Sequence, residues 1–499
     1  MGRWLILGAM ALPAFLLNID FYGITVALPS IGQAFGAGTT ALQWAVNGFN
    51  LALIAPLVAF GRLGDLVGRR RLLLVGVLLF AGGSAMCGLA AGMGWLIAGR
   101  CVQGLAVALF STSPLSIVGQ VFPKEQHGLA FSLWAAIGAA GSAVGPLVGG
   151  ALTDLFGWRW FFFINLPVAA LTIALVLAIV PESRDETATG TFDSRGFAAI
   201  TAGLAALVYG LQAGDDAGWT APVVLVALAA GVALALLAAR VETRATQPLL
   251  EPMLFRQKSY VAVLGVAVTG NFGFSAVIFF AALFLQDQLQ LAPLQAGVVM
   301  LAFSACFVAT LPLAGRLAER ISPRILMAVG MVLMVAACLL LAPGGLAWLV
   351  AGLAVAGIGQ GFAFNTSTTA AMDAVPMAQA GAASGVLNAA RQLGSTLGIA
   401  LAGAVFQTIE SRGLLAAMHG PEALDLDQTS LVRALYSGSE AARATLAALA
   451  PAPRADIEAV TAAVFEASFR GAMLLGAVVS LLGILAALSA RPARPGPAG

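Results

Sequence analysis

Two stretches decide how this sequence is read: "GRLGDLVGRRRLL" at residues 61–73 and "GRLAERISPRILM" at residues 315–327. Gly61, Arg62 and Leu63 correspond to Gly315, Arg316 and Leu317, Asp65 to Glu319, and Arg70 to Arg324. Each stretch closes the second long apolar run of its half of the chain. Any loop between such runs collects glycine and arginine, but that tendency does not supply an aligned acid at the same place in both halves. The pair therefore reads as an internal duplication.

Working outward, the flanking runs are long enough to cross a bilayer. The chain has 499 residues, 60% of them hydrophobic and 10% charged, and a mean hydropathy of +0.95. A soluble chain carries about 25% charged residues, so this is a polytopic membrane protein. A crossing helix needs about 20 apolar residues. Runs of that kind lie near 4–29, 43–62, 72–92, 95–118, 128–152, 160–180, 196–213, 221–239, 259–285, 294–315, 324–342, 346–370, 381–408 and 468–489, which is fourteen. The weakest is 196–213, short and interrupted by Tyr209 and Gln212.

The expected fold is an all-α integral membrane protein of two six-helix bundles with two extra helices inserted between them. Residues 1–180 form the first bundle, 181–258 a linker with the two inserted helices, and 259–489 the second bundle. The second bundle includes an outer loop at 410–466, and 490–499 form a tail. The loop holds eight acids against four bases. Its Ala-rich segments "SEAARATLAALA" and "DIEAVTAAVFEASF" read as short helices around a "PAP" break, in a solvated loop or an outer cap. The N-terminus has no convincing cleavage site and reads as a retained first span.

Most of the 25 basic residues, among them Arg69, Arg70, Arg71, Arg256, Lys258, Arg316 and Arg320, fall on one side of these runs. The short loops opposite hold only Arg159. The positive-inside rule then puts both termini in the cytoplasm. A net charge of +2 gives no basic field for nucleic acid. Cys87, Cys101, Cys306 and Cys338 lie inside apolar runs and read as small core residues.

Charges within the runs are few. Asp20, in "LPAFLLNIDFYGITVALPS" (12–30), is the only acid well inside one. An ionised carboxylate there is disfavoured by roughly 2.5–3.5 kcal/mol. Arg100 and Gln103 sit one turn apart on the fourth run, and Arg100 is the natural partner for Asp20. Burial favours the neutral carboxyl and a nearby arginine the ionised one, so the pair is either a proton-coupling device or a permanent structural ion pair. On the thirteenth run Ser384, Asn388, Arg391 and Ser395 form a polar stripe. Asn47, Asn50, Asn271, Gln360 and Asn365 add neutral polar groups that either line a cavity of few charges or hydrogen-bond between helices. Gly138, Ser142, Gly145 and Gly149 make a small-residue face on the fifth run, which lets backbones approach closely.

The motifs together resemble the major facilitator superfamily, specifically its fourteen-helix drug:proton antiporter branch. "GRLGDLVGRRR" resembles the family's loop 2–3 signature, "LIAGRCVQG" (96–104) its fourth-helix motif and "GSAVGPLVGG" (141–150) its antiporter-associated fifth-helix motif. "LPSI" after Asp20, "WRWFFFINLP" (158–167), "FLQDQLQLAPLQAG" (284–297) and "RQLGSTLG" (391–398) extend the likeness over essentially the whole chain. It departs at Leu66, where the family usually has arginine, and at Ser322 and Pro323, which replace glycine and arginine. The resemblance implies a conformational latch at Gly61, Asp65, Gly68, Arg69 and Arg70, with Glu319 and Arg324 in the second copy; a solvated turn is the plainer alternative. It also implies that Gly141, Gly145, Pro146, Gly149 and Gly150 form a contact that parts and re-forms during transport. A monomer is expected, with an envelope accessory protein left open.

No GK dipeptide occurs, so the chain has no P-loop, and its two histidines fall in loops, away from any intramembrane metal site. "GIGQGF" (357–362) lies mid-helix and is no dinucleotide fingerprint. The expectation is a transporter, not an enzyme: a proton-coupled exporter of small apolar or amphipathic compounds at the inner membrane. It needs the proton gradient and no cofactor. Export of a lipid, siderophore or biosynthetic product is the alternative, and a transport-inactive membrane sensor is a reading of another class.

Overall fold

The computed structural model describes residues 2–111, 113–123, 126–182, 194–218, 220–242, 254–318, 320–375, 380–419 and 451–490. The described residues are helical and carry no strand. Helix α1 is Gly2–Phe35, α2 Thr39–Val67, α3 Arg69–Gly88 and α4 Met93–Phe110, followed by the short α5, Ser113–Val121. Helix α6 is His127–Phe156, and the next crossing is broken into α7, Arg159–Phe163, and α8, Asn165–Ile179. Helices α9, Ser194–Ala217, and α10, Pro222–Glu242, follow. The last six are α11 Lys258–Leu283, α12 Pro293–Ala318, α13 Pro323–Leu341, α14 Leu346–Asp373, α15 Ala380–His419 and α16 Pro451–Ser489. Ten spans among the described residues are long and apolar enough to cross a membrane.

Packing repeats between the halves. Helix α1 packs on α6, α3 on α4, α2 on α4 and α3 on α8; correspondingly α11 packs on α15, α13 on α14, α12 on α14 and α13 on α16. The inserted α9 and α10 pack on each other, and α9 lies over α2 and α15. Tyr209, the polar interruption of the weakest apolar run, meets Trp44 of α2 at 6.1 Å between ring centroids.

One end of the molecule, here the near end, is where α1 begins; the other is the far end. At the far end both halves share one apolar core, including Ile24, Leu28, Phe161, Phe280, Leu349 and Phe406. At the near end the cores are separate: Leu7, Leu53, Leu73 and Val118 belong to the first half, and Tyr260, Met327, Ala371 and Val386 to the second. Polar contacts between the halves lie at the far end as well. Gln286 Nε2 donates to the Val26 carbonyl at 2.8 Å, and Gln407 donates to the Thr40 hydroxyl.

Two boundaries differ from the sequence expectation. "DIEAVTAAVFEASF" is not a separate short helix: α16 runs unbroken from Pro451 through the last span. Proline tolerates the first turn of a helix, where its missing N–H leaves no bond unmade, so "PAP" starts this helix instead of breaking it. The fourth apolar run is likewise two helices, α4 and α5, with Pro114 in the first turn of α5.

Helix α1 crosses α6 at close backbone contact. A Cβ on Gly149 would overlap the Gly23 carbonyl, and one on Gly141 the Phe15 carbonyl. Alanine normally gains about 1 kcal/mol over glycine inside a helix. Gly149→Ala is expected instead to lower thermal stability in detergent by about 1–3 kcal/mol, the usual range for overpacking. Gly8→Ala, on α1 with open space around it, should leave the melting temperature unchanged or raised.

Candidate functional site: a buried ion pair among five helices

The fold brings Asp20 and Arg100 together inside the first half. Arg100 Nη1 donates to Asp20 Oδ2 at 2.6 Å, with the two side chains 1% and 0% exposed. Arg100 Nη1 also donates to Gln103 Oε1 at 2.8 Å, and its Nε to the Ala45 carbonyl at 3.1 Å. The guanidinium lies 4.3 Å from the Phe49 ring centroid, a cation–π contact. Asp20 Oδ1 receives Asn165 Nδ2 at 3.3 Å and Gln103 Nε2 at 3.4 Å. The same two amides donate to Ser84 Oγ, at 3.2 and 2.8 Å.

Helices α1, α2, α3, α4 and α8 therefore each contribute one or more groups to a single charge-neutral network. Ser84, Asn165, Phe49 and the Ala45 carbonyl were not legible as members, though "FFFINLP" carries a lone asparagine within an aromatic run. Asp20 is the only aspartate or glutamate among the buried described residues. It is occluded within the bundle and does not border open space.

The other sequence candidates are scattered. Asn47 and Asn50 of α2 are fully buried, and with Gln43 one turn earlier they leave both side-chain amide atoms without a protein partner. Asn271 donates to Ala267 of its own helix and Asn365 to Leu311 of α12, so both hydrogen-bond to helix backbone. Gln360 is buried with Oε1 unpartnered. Arg391 and Asn388 meet on α15, and Ser395 hydrogen-bonds Ser275 of α11.

The glycine motif of α6 has two faces. Gly141, Gly145 and Gly149 meet α1, where Ser142 Oγ also donates to Asn18 Oδ1 at 2.8 Å. Pro146 and Gly150 meet α12 of the other half: the Pro146 carbonyl lies against Gly297, and Gly150 against the Pro293 carbonyl.

At the near end, Gly68 links α2 to α3 with φ 112°, a left-handed value that favours glycine. A Cβ there would also meet the Glu182 carboxylate at 2.7 Å. Arg70 Nη2 donates to the Leu177 carbonyl at 2.8 Å, and Arg71 pairs with Glu182 at 3.4 Å on the surface. Arg324 is exposed at the start of α13. Of Gly61 and Asp65 only the helical backbone is described, and Glu319 lies outside the described residues.

Residues 10–399 match the Major Facilitator Superfamily family model. The chain belongs to the major facilitator superfamily. It is 35% identical over 401 residues to the multidrug resistance protein Stp of Mycobacterium tuberculosis, covering 80% of this chain and 74% of the relative. It is 34% identical over 419 residues to the probable actinorhodin transporter of Streptomyces coelicolor, covering 81% of this chain and 72% of that protein. Its fold is similar to the crystal structure of a bacterial homologue of the human lysosomal transporter Spinster, in an inward-facing, unoccupied conformation. The TM-score is 0.68 at 17% identity, over 99% of both chains. The chain is thus a multi-pass membrane transporter and not an enzyme.

Removing one member of a buried ion pair typically costs 3–5 kcal/mol, because the other charge is stranded. Arg100→Gln is expected to lower unfolding stability in detergent by about that amount. Adding Asp20→Asn should recover most of the loss. A double variant no more stable than Arg100→Gln alone would mean that the two charges are not coupled.

Proposed function

We propose that the protein exports small apolar or amphipathic compounds in exchange for protons, by alternating access, with Asp20 as the proton carrier. The observation that carries this reading is the Asp20 environment: one buried carboxylate, balanced by one arginine and otherwise surrounded by neutral amides and a hydroxyl. Neutral amides serve a carboxyl in either protonation state. Asn165 Nδ2 now donates to the carboxylate, while its Oδ1 has no partner. A flip of that amide would present an acceptor to a protonated carboxyl.

In this reading the near end is cytoplasmic, as are both termini, since Arg69–Arg71, Arg316, Arg320 and Arg324 cluster there. Helices α2, α6, α9 and α10 cross as well as the ten spans, giving fourteen crossings. The halves divide at the 181–258 insert. The shared far-end core and the divided near-end cores correspond to a state closed on the outside. Export needs the halves to rock so that the α6–α12 contact opens while the near end closes. Moving one charge through 100 mV supplies about 2.3 kcal/mol, enough for modest uphill export per proton.

Similarity to the probable actinorhodin transporter favours a second reading, export of a biosynthetic product through the same cycle. A compound panel separates the two: one accepted compound points to the dedicated exporter, several unrelated ones to multidrug efflux.

Inverted membrane vesicles test the coupling. Wild-type protein is expected to accumulate a panel compound on acidification of the lumen, and to release protons from the lumen when the compound is added. Asp20→Asn should reach the membrane in normal amount and lose pH-driven accumulation. Undiminished proton-driven export by that variant would sink the assignment.

A further inference from the structure

Arg391 is the second arginine inside an apolar helix, and among the described residues no carboxylate pairs with it. It is 7% exposed. Its Nη2 donates to the Phe364 carbonyl at 2.9 Å, Ser367 Oγ at 3.0 Å and Thr368 Oγ1 at 2.6 Å, and its Nη1 to Asn388 Oδ1 at 3.5 Å. The Phe364 ring stacks on the guanidinium at 3.8 Å. Its Nε is buried and has no acceptor. Every acceptor it has is neutral. Arginine stays protonated in proteins, and a charge held out of water is normally paired. The contrast with Arg100, which has an acid of its own at 2.6 Å, is direct.

Two further observations point to a ligand. The group lies just below the surface, since Asn388 is exposed and Thr368 and Gln392 are partly so. Aromatic rings of the shared core also lie beyond it, packed against one another: Phe364 to Phe307 at 5.9 Å, Phe307 to Phe303 at 5.9 Å and Phe303 to Phe274 at 5.3 Å between centroids. Phe274 then meets Tyr22 of the first half at 5.7 Å. A cation with no counter-ion among the described residues, stacked on one aromatic ring at the edge of an aromatic core, suits an apolar aromatic body carrying an acidic group.

We propose that Arg391 is the seat for the acidic group, a carboxylate or an ionised phenol, of an aromatic amphipathic compound carried by this protein. The ligand anion replaces the neutral acceptors now on the guanidinium, and its fork of N–H donors suits a carboxylate bidentately. The proposal rests on the export reading above for the statement that such a compound is cargo.

The test is isothermal titration of the full-length protein in detergent with 2-naphthoate and with its uncharged match, 2-naphthamide. Wild-type protein is expected to bind the acid about tenfold or more tightly than the amide, as a charge-assisted bidentate contact implies. Arg391→Gln should abolish that preference by weakening the acid alone. Should Arg391→Gln fail to fold, Arg391→Lys keeps the charge without the planar fork and is expected to weaken the acid about threefold or more while sparing the amide. Equal affinity of wild-type protein for acid and amide overturns the proposal, and so does equal loss of both ligands in either variant. Inverted vesicles separate its failure from that of export: pH-driven movement of panel compounds without acid preference removes the seat alone. Acid preference without movement of any compound removes the export reading.

Discussion

A charge buried within a membrane protein is costly unless it is paired, and the first half of this chain is organised around that cost. Asp20 and Arg100 come from helices 80 residues apart, and each would be costly to bury without the other. Meeting them fixes how α1 and α4 face each other, and the remaining donors and acceptors draw in α2, α3 and α8. Beyond the pair itself the network consists of neutral groups, so it carries no net charge and lies buried. Its carboxylate is the only one among the described residues that lies in the buried core.

Around that network, the packing of the two halves is unequal along the membrane normal. Glycine and proline of α6 allow backbone contact with α12, and amide side chains from the turn just after α11 and from α15 reach across to α1 and α2. All of these lie at the far end. Near the start of α1 the apolar clusters of the two halves are separate. Closely packed interfaces tend to be either engaged or parted, not gradually deformed. A seam whose contacts, among the described residues, lie at one end is the kind of element on which a rocking motion can act.

Much of this was legible in sequence. The apolar runs give the helices because hydropathy over 20 residues needs no knowledge of neighbours, and the paired "GRL" stretches mark equivalent turns because duplication preserves them. Asp20 and Arg100 could be matched because few charges occur within the runs. What could not be read depends on partners distant in the chain. Asn165 and Ser84 are ordinary polar residues until the α3–α8 packing sets them beside Asp20. Gly150 and Gly149 look alike in sequence, yet one faces α12 and the other α1. The start of α16 was missed because proline usually ends helices and only in the first turn begins them. That no described acid pairs with Arg391 emerged only once the residues around it were in place.

The contacts that close the far end have an electrical consequence. Gln286 to Val26, Gln407 to Thr40 and Gly150 against Pro293 are amide, hydroxyl and backbone contacts without a formal charge. Parting them reorients dipoles but carries no ion through the membrane field. The work that the transmembrane voltage can do on these contacts is therefore small. In the proposed exchange cycle it would fall instead on the few ionised groups at depth, so its voltage sensitivity would read out their charge state and not the closing of the seam.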